Sequence, residues 1–244
     1  MKVANGIEAL EVNLTFMGRH STIYPTLIWD DETVILIDTG FPGAYQNIEV
    51  AVEAAGVSFS KLDKVIITHQ DIDHIGGLPD ILANTKNKIE VFAHEAEKPY
   101  IEGDKPLIKY NPERLAKMLA GIPEEQQSRL RSLFSYPPKA KVDVPVQDGQ
   151  MLPYCGGIIV IHTPGHTPGH MSLYHVKSKT LISGDALTAE KGQLLGPNPA
   201  NAFDIDEAKR SIEKFQQFDV ENVICYHGGV CRDNIRNIIA ELAK

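Results

Sequence analysis

The feature that most limits what this chain can fold into is a pair of short apolar runs, VIITH at 65–69 and VICYH at 223–227, each closing on a histidine. Such runs read as buried strands, so His69 and His227 fall where a strand gives way to a loop. The match between the two halves marks an ancient duplication and is expected to bring both strand ends to one site.

The residues just after the first run sharpen that expectation. In THQDIDHIGG, residues 68–77, two imidazoles and two carboxylates stand at His69, Asp71, Asp73 and His74, and Gly76, Gly77 and Pro79 lead into a helix. These are nitrogen and oxygen donors without sulfur, a set suited to a divalent metal. Taken by itself, the stretch also reads as a solvated polar loop. Histidines recur in HTPGHTPGH at 162–170 and ICYHGG at 224–229, with LISGDAL at 181–187 between them.

In order, HxDxDH, a downstream histidine, an aspartate after an apolar strand and a last histidine resemble the metallo-β-lactamase superfamily of dinuclear hydrolases, over residues 10–240 or so. The resemblance implies an α/β fold, the four-layer αββα sandwich, with metals at one edge between the sheets. A helical insertion over residues 95–145 or so would join the halves as a lid or substrate wall. The family pattern also implies a first ion held by His69, Asp71 and His166, a second held by Asp73, His74 and His227, and Asp185 bridging them. His166 is preferred to His162 and His170 because TPGHTPGH matches the family with its first histidine as ligand. His20, His94, His162 and His175 are left as surface or structural residues, and His170 is given only a supporting place. Asp38 would sit behind the ligand loop, although a turn role before Gly40 is equally open.

Composition narrows the function. With 43% hydrophobic residues in 244, the chain can bury a sizeable core as a single domain. A formal charge of −8 without a Lys/Arg block argues against a phosphate-tracking surface, so no nucleic-acid partner is expected. The start, MKVANGIEAL, lacks the apolar core of a signal peptide, and no run reaches membrane-spanning length. Cys155, Cys225 and Cys231 have no CxxC spacing and suit a reducing compartment. A soluble cytoplasmic monomer or homodimer acting on a small molecule is expected, with Cys225 as a small buried strand residue.

Residues 7–16 and 22–29 with VILID read as a meander opening the first sheet, 44–56 as a helix and 89–93 as a strand. Asn111-Pro112 and Pro123 start two insertion helices, whose stripes Leu115, Met118, Leu119 and Leu130, Leu133, Phe134 are expected to pack on the main body. In the second half GIIVIH, MSLYHV and TLISGD read as strands, and Asp204 with Glu207 caps a helix over residues 204–218 or so. GPNPANAF, following Asp185, is a loop and a candidate pocket rim.

Two divalent ions sharing a water lower its pKa from about 16 toward neutrality, which provides a hydroxide nucleophile, and one ion polarises the substrate carbonyl. No serine or cysteine nucleophile is then required. By analogy with the family, Asp73 passes a proton to the leaving group, and the expected reaction is hydrolysis of a small ester, lactone or thioester. Asp71 is the departure, since most hydrolases of the family carry histidine there. Three carboxylates, two divalent ions and one hydroxide sum to zero charge, a milder Lewis acid. Zinc is expected, with manganese or iron as alternatives that such an oxygen-richer site accepts more readily than a histidine-rich one would.

Zinc β-lactamases usually lack both this carboxylate and the HTPGHTPGH segment. Glyoxalase II adds a carboxyl-terminal helical region, whereas this chain ends soon after His227. Acyl-homoserine lactonases carry a tyrosine where Thr188 stands. A reading from another class stays open: flavodiiron proteins place a carboxylate at the Asp71 position, so the alternative is a stand-alone di-iron redox or sensor protein, although no flavin-binding segment is visible.

Overall fold

Strands with apolar residues on both faces build two sheets that pack against each other. In the computed structural model, which describes residues 1–120 and 122–243, the first half supplies β1 (Lys2–Ala4), β2 (Ile7–Ala9), β3 (Val12–Phe16), β4 (Arg19–Ile23) and β5 (Thr26–Trp29). It continues with β6 (Val34–Ile37), β7 (Lys64–Ile67), β8 (Glu90–His94) and β9 (Val144–Val146). Between them lie helices α1 (Tyr45–Ala54), α2 (Ile72–Ile75), α3 (Leu78–Asn84), α4 (Lys98–Ile101), α5 (Pro112–Ala120) and α6 (Glu124–Ser135). The second half runs through β10 (Met151–Leu152), β11 (Ile158–His162), β12 (Met171–His175), β13 (Thr180–Ile182), β14 (Thr188–Glu190) and β15 (Gln193–Leu195). It closes with α7 (Ile205–Glu213), β16 (Asn222–Cys225), β17 (Gly229–Cys231) and α8 (Ile235–Leu242).

One sheet has the order β1-β2-β5-β6-β7-β8-β9, the other β10-β11-β12-β13-β16-β17. Strands β6 to β9 run parallel, an arrangement that needs cover on both faces. The alternation of residues supplies it. Ile35, Ile37, Ile66 and Phe92 face the second sheet and meet Ile158, Val160, Leu173, Ile182 and Ile224. Their neighbours Leu36, Val65 and Ile67 turn outward onto Ile48, Val52, Leu78 and Ile81 of α1 and α3. The second sheet repeats the scheme, with Leu181, Val223 and Cys225 against Ile212 of α7 and Ile235 and Ile239 of α8. The layers are helix, sheet, sheet, helix, the expected αββα sandwich. Each side chain fully buried in the central layer contributes about 1.5–3 kcal/mol, so this layer holds the halves together.

The opening meander is interrupted. Among the described residues, β3 and β4 pair only with each other. Their polar cross-strand partners explain the departure: Thr22 donates to Asn13 at 2.7 Å and Thr15 Oγ1 lies 2.9 Å from His20 Nδ1, groups that a two-sided sheet would desolvate. The hairpin instead projects toward the 38–43 loop, where Phe16 stacks on Phe41 at 4.4 Å. The insertion also differs from its expected packing. Leu115, Met118 and Leu119 of α5 are only half-buried, whereas Leu130 of α6 is fully buried. Asn111 caps α5 as its sequence suggests, accepting the Arg114 N–H at 2.9 Å.

Candidate metal centre

His69 leaves the end of β7, Asp71 stands just before α2, and Asp73 and His74 lie within that one-turn helix. The helix starts earlier than the sequence suggested, so the last two of these residues are helical. Two glycines let α2 approach the 38–42 loop: a Cβ on Gly77 would sit 2.2 Å from Thr39 O, and one on Gly76 2.3 Å from Pro42 Cδ. From that loop, Asp38 Oδ1 accepts the Thr68 N–H at 2.8 Å, and Oδ2 accepts the Thr68 hydroxyl and His74 Nδ1–H at 2.8 Å each. His69 Nδ1 lies 3.0 Å from Thr68 Oγ1. With each Nδ1 engaged, both rings turn Nε2 into the site, the way a carboxylate or hydroxyl behind a metal-binding imidazole sets its tautomer.

The second half brings its residues on loops. His166 lies between β11 and β12, Asp185 follows β13 and His227 follows β16. Gly184 has φ +54°, and a Cβ there would press on His170 Nε2 at 2.7 Å. That contact matters because His170 Nε2 accepts the Asp185 N–H at 3.0 Å while its Nδ1 donates to Thr163 O at 3.1 Å. The supporting place given to His170 is a position behind Asp185. His162 and His94 stack on each other at 4.0 Å away from these clusters, His175 Nε2 donates to Cys155 O at 2.9 Å, and His20 lies on the hairpin.

The structure brings all seven sequence candidates into two adjoining groups, His69, Asp71, His166 and Asp185 in one and Asp73, His74 and His227 in the other, ligand atoms of each lying within 4.8 Å. In the first, Asp71 Oδ2 is 3.4 Å from His69 Nε2 and 3.0 Å from His166 Nε2, which is 3.3 Å from Asp185 Oδ2. In the second, Asp73 Oδ2 is 3.2 Å from His227 Nε2 and 3.9 Å from His74 Nε2. Asp185 Oδ1 lies 3.3 Å from His74 Nε2 and 3.5 Å from His227 Nε2. Ligands at about 2.0–2.1 Å around a tetrahedral ion are themselves about 3.3 Å apart, so the spacing fits a metal in each group.

Two further observations agree. Among the described residues, the buried His69 Nε2, His74 Nε2 and Asp185 Oδ1 have no hydrogen-bond partner, and orphaned buried polar atoms are costly unless something else satisfies them. Electrostatics points the same way. Burial, then neighbouring His74, push His69 down to about 4, which keeps it neutral. Burial also opposes charge on His74 and His227. Asp38, Asp185 and Asp73 outweigh it at His74 and hold that ring well above its ordinary range, and Asp185 and Asp73 raise His227 to about 10. The carboxylates of this site demand positive charge, whether as protons or as metal.

Sequence reading passed over Glu97, Tyr226 and Arg114 around the clusters. Buried Glu97 accepts the Gln70 N–H and side-chain amide at 2.9 Å each and the Gly169 N–H at 2.8 Å, tying the two halves behind the ligands. The Tyr226 hydroxyl donates to Asp73 O. Arg114, Thr188, Asn198 and Asn201 line a polar cavity of about 250 Å³ over the clusters. Asn198 and Asn201 belong to the expected rim loop. Arg114 and Asp73 also border an apolar groove of about 380 Å³ between the hairpin and the insertion, lined by Phe16, Phe41, Ile72, Met118, Ile122 and Leu130.

Comparison with known proteins agrees with this fold. The family model described as Metallo-beta-lactamase superfamily matches residues 21–227. The chain belongs to the metallo-beta-lactamase superfamily. It is similar to the probable metallo-hydrolase YflN of Bacillus subtilis (strain 168), 28% identical over 258 residues that cover 100% of this chain and 92% of that protein. The uncharacterized protein YobT of the same bacterium is 31% identical over 208 residues, covering 83% of this chain and 80% of that protein. Among solved structures, the metallo-beta-lactamase family protein TTHA1429 from Thermus thermophilus shares the fold with a TM-score of 0.72 at 23% identity, covering 99% of this chain and 79% of that one.

Proposed function

We propose that this chain is a metal-dependent hydrolase of a small ester, lactone or thioester. His69, Asp71 and His166 would hold one divalent ion and Asp73, His74 and His227 the other, with the Asp185 carboxylate facing both groups. The observation that carries the reading is the placement of Asp185, whose Oδ2 faces His166 at 3.3 Å and whose Oδ1 faces His74 at 3.3 Å. Divalent ions at these positions supply Lewis acidity and bring the pKa of water toward about 7. Zinc is the metal proposed, with manganese or iron as alternatives because Asp71 makes the first group richer in oxygen.

The chain's own residues orient the substrate and move protons. Phe16, Phe41, Met118 and Leu130 keep water from an apolar arm in the groove, and Arg114 stands where that groove meets the polar cavity. Asp73 borders both spaces and carries a proton to the leaving group. Thr188 lies on the cavity wall and brings no phenol. YflN, named a probable metallo-hydrolase, supports hydrolysis without naming a substrate. Among the described residues, no helix is long and apolar enough to cross a membrane. A cytoplasmic monomer or homodimer with three free thiols completes the proposal.

A screen of lactones, thioesters and phosphodiesters with zinc-, manganese- and iron-loaded protein tests it. Turnover of a carbonyl substrate that falls by about 10²-fold or more in Asp73→Asn, with metal content measured alongside, is the expected result. Fully loaded protein that turns over no carbonyl substrate would overturn it. The carboxylate at Asp71 also favours a second reading, a di-iron redox or sensor protein. Anaerobic iron loading that yields a coupled paramagnetic signal, with no hydrolysis by the zinc or manganese form, would favour that reading.

A further inference from the structure

Lys109 lies on the segment between α4 and α5, and its side chain is 11% exposed. Its ammonium donates to Asp71 Oδ2 and, at 2.7 Å, to His166 Nε2. Those atoms are two of the ligand atoms of the first group, and both are engaged through the lone pairs that a metal would need. An ammonium nitrogen at hydrogen-bond distance and a metal at about 2.0–2.1 Å from the same atoms exclude each other.

The lysine is held there by buried contacts. Gln70 Oε1 accepts the Ile108 N–H at 2.7 Å, and Gln70 is itself fixed by Glu97 through two hydrogen bonds of 2.9 Å. Gln70, the residue between His69 and Asp71 in the ligand motif, thus anchors the insertion beside the ligands. Charge permits the same arrangement. The carboxylates of Asp71, Asp73 and Asp185 sum to −3, balanced by one divalent ion in the second group and the Lys109 ammonium in the first. Among the described residues, the ion-pair partners of Asp73 and Asp185 are histidines alone, so no lysine or arginine pairs with the carboxylates of the second group. Asp71 accounts for the pairing: a carboxylate accepts from an ammonium, whereas a histidine in its place would bring no negative charge.

We propose that the Lys109 ammonium and a metal ion are alternative occupants of the first group, so that the chain takes up its second divalent ion only by displacing its own lysine. This rests on the reading that both groups bind metal. Loading is then sequential, tight at Asp73, His74 and His227 and weaker at His69, Asp71 and His166.

The test is zinc titration of the chelator-stripped full chain by calorimetry, with stoichiometry from native mass spectrometry. In the wild type two steps are expected, the second about 10- to 100-fold weaker, the size expected for lost charge-assisted hydrogen bonds. Lys109→Met should tighten the second step by about tenfold or more and leave the first unchanged, while Lys109→Arg keeps the steps apart. A measurement on the wild type alone guards against a variant that fails to fold. Acetylation of Lys109, followed by mass spectrometry, should stay slow through the first equivalent of zinc and accelerate with the second. Two equal steps in the wild type, an unchanged second step in Lys109→Met, or labelling that ignores the second equivalent would overturn the proposal and leave the metal-centre reading standing. Failure to bind zinc at all would overturn both.

Discussion

Asp38 adopts a left-handed backbone, φ +63°, which a residue with a side chain takes up at a cost. Its carboxylate collects the Thr68 N–H, the Thr68 hydroxyl and His74 Nδ1–H, each at 2.8 Å, and so fixes both the ligand strand end and one ligand ring. Asp38→Ala should lower zinc affinity by about 10- to 100-fold without removing a ligand atom, as competition with a fluorescent chelator would measure. Affinity equal to the wild type would show that the ring needs no such support. The candidate ligands were legible because chemistry requires them close together, within HQDIDH, or at the ends of apolar strands. Their supports were not. Gln70 and Glu97 are 27 residues apart, and His170 reaches Asp185 across 15, so each pairing exists only once the chain has folded. Lys109 meets His166 across 57 residues, and a single lysine in an insertion carries no spacing to mark it.

At the scale of elements, β8 and β11 finish with His94 and His162 stacked at 4.0 Å with 9° between their planes, a contact between the two sheets. Burial, then the charge of His162, push His94 from 6.5 down to about 4. Below the upper value the unfolded chain binds a proton that the folded one refuses. This contribution to stability is therefore complete above about pH 6.5 and is lost as pH falls toward 4, with a slope of at most about 1.4 kcal/mol per unit. His94→Gln should flatten that limb in urea melts compared at neutral and mildly acidic pH, and equal slopes would refute the assignment. Strands such as β6, β7 and β16 were legible because burial on both faces is written into each run. The β3–β4 hairpin was not, since alternation looks the same whether a strand joins a sheet or stands apart. Helix α2 has four residues, too few to show a helical period.

For the molecule as a whole, the clusters draw on both halves: His69, Asp71, Asp73 and His74 come from the first, His166, Asp185 and His227 from the second. An ion bound there ties one half to the other and stabilises only the folded chain. At a free concentration of 100 times Kd this adds about 2.7 kcal/mol, so stripping the metal should lower Tm by about 5–10 °C and reloading should restore it. A melting point indifferent to verified metal removal would contradict ligands shared between the halves. The cavity walls, by contrast, stand apart from both sheets. Arg114 and Met118 come from the insertion and Asn198 and Asn201 from the 196–203 loop. Changing Arg114, Met118, Asn198 or Asn201 disturbs no strand pairing. Divergence among descendants can thus retarget the chemistry in few mutational steps, and a segment grafted onto a relative would carry its preference along.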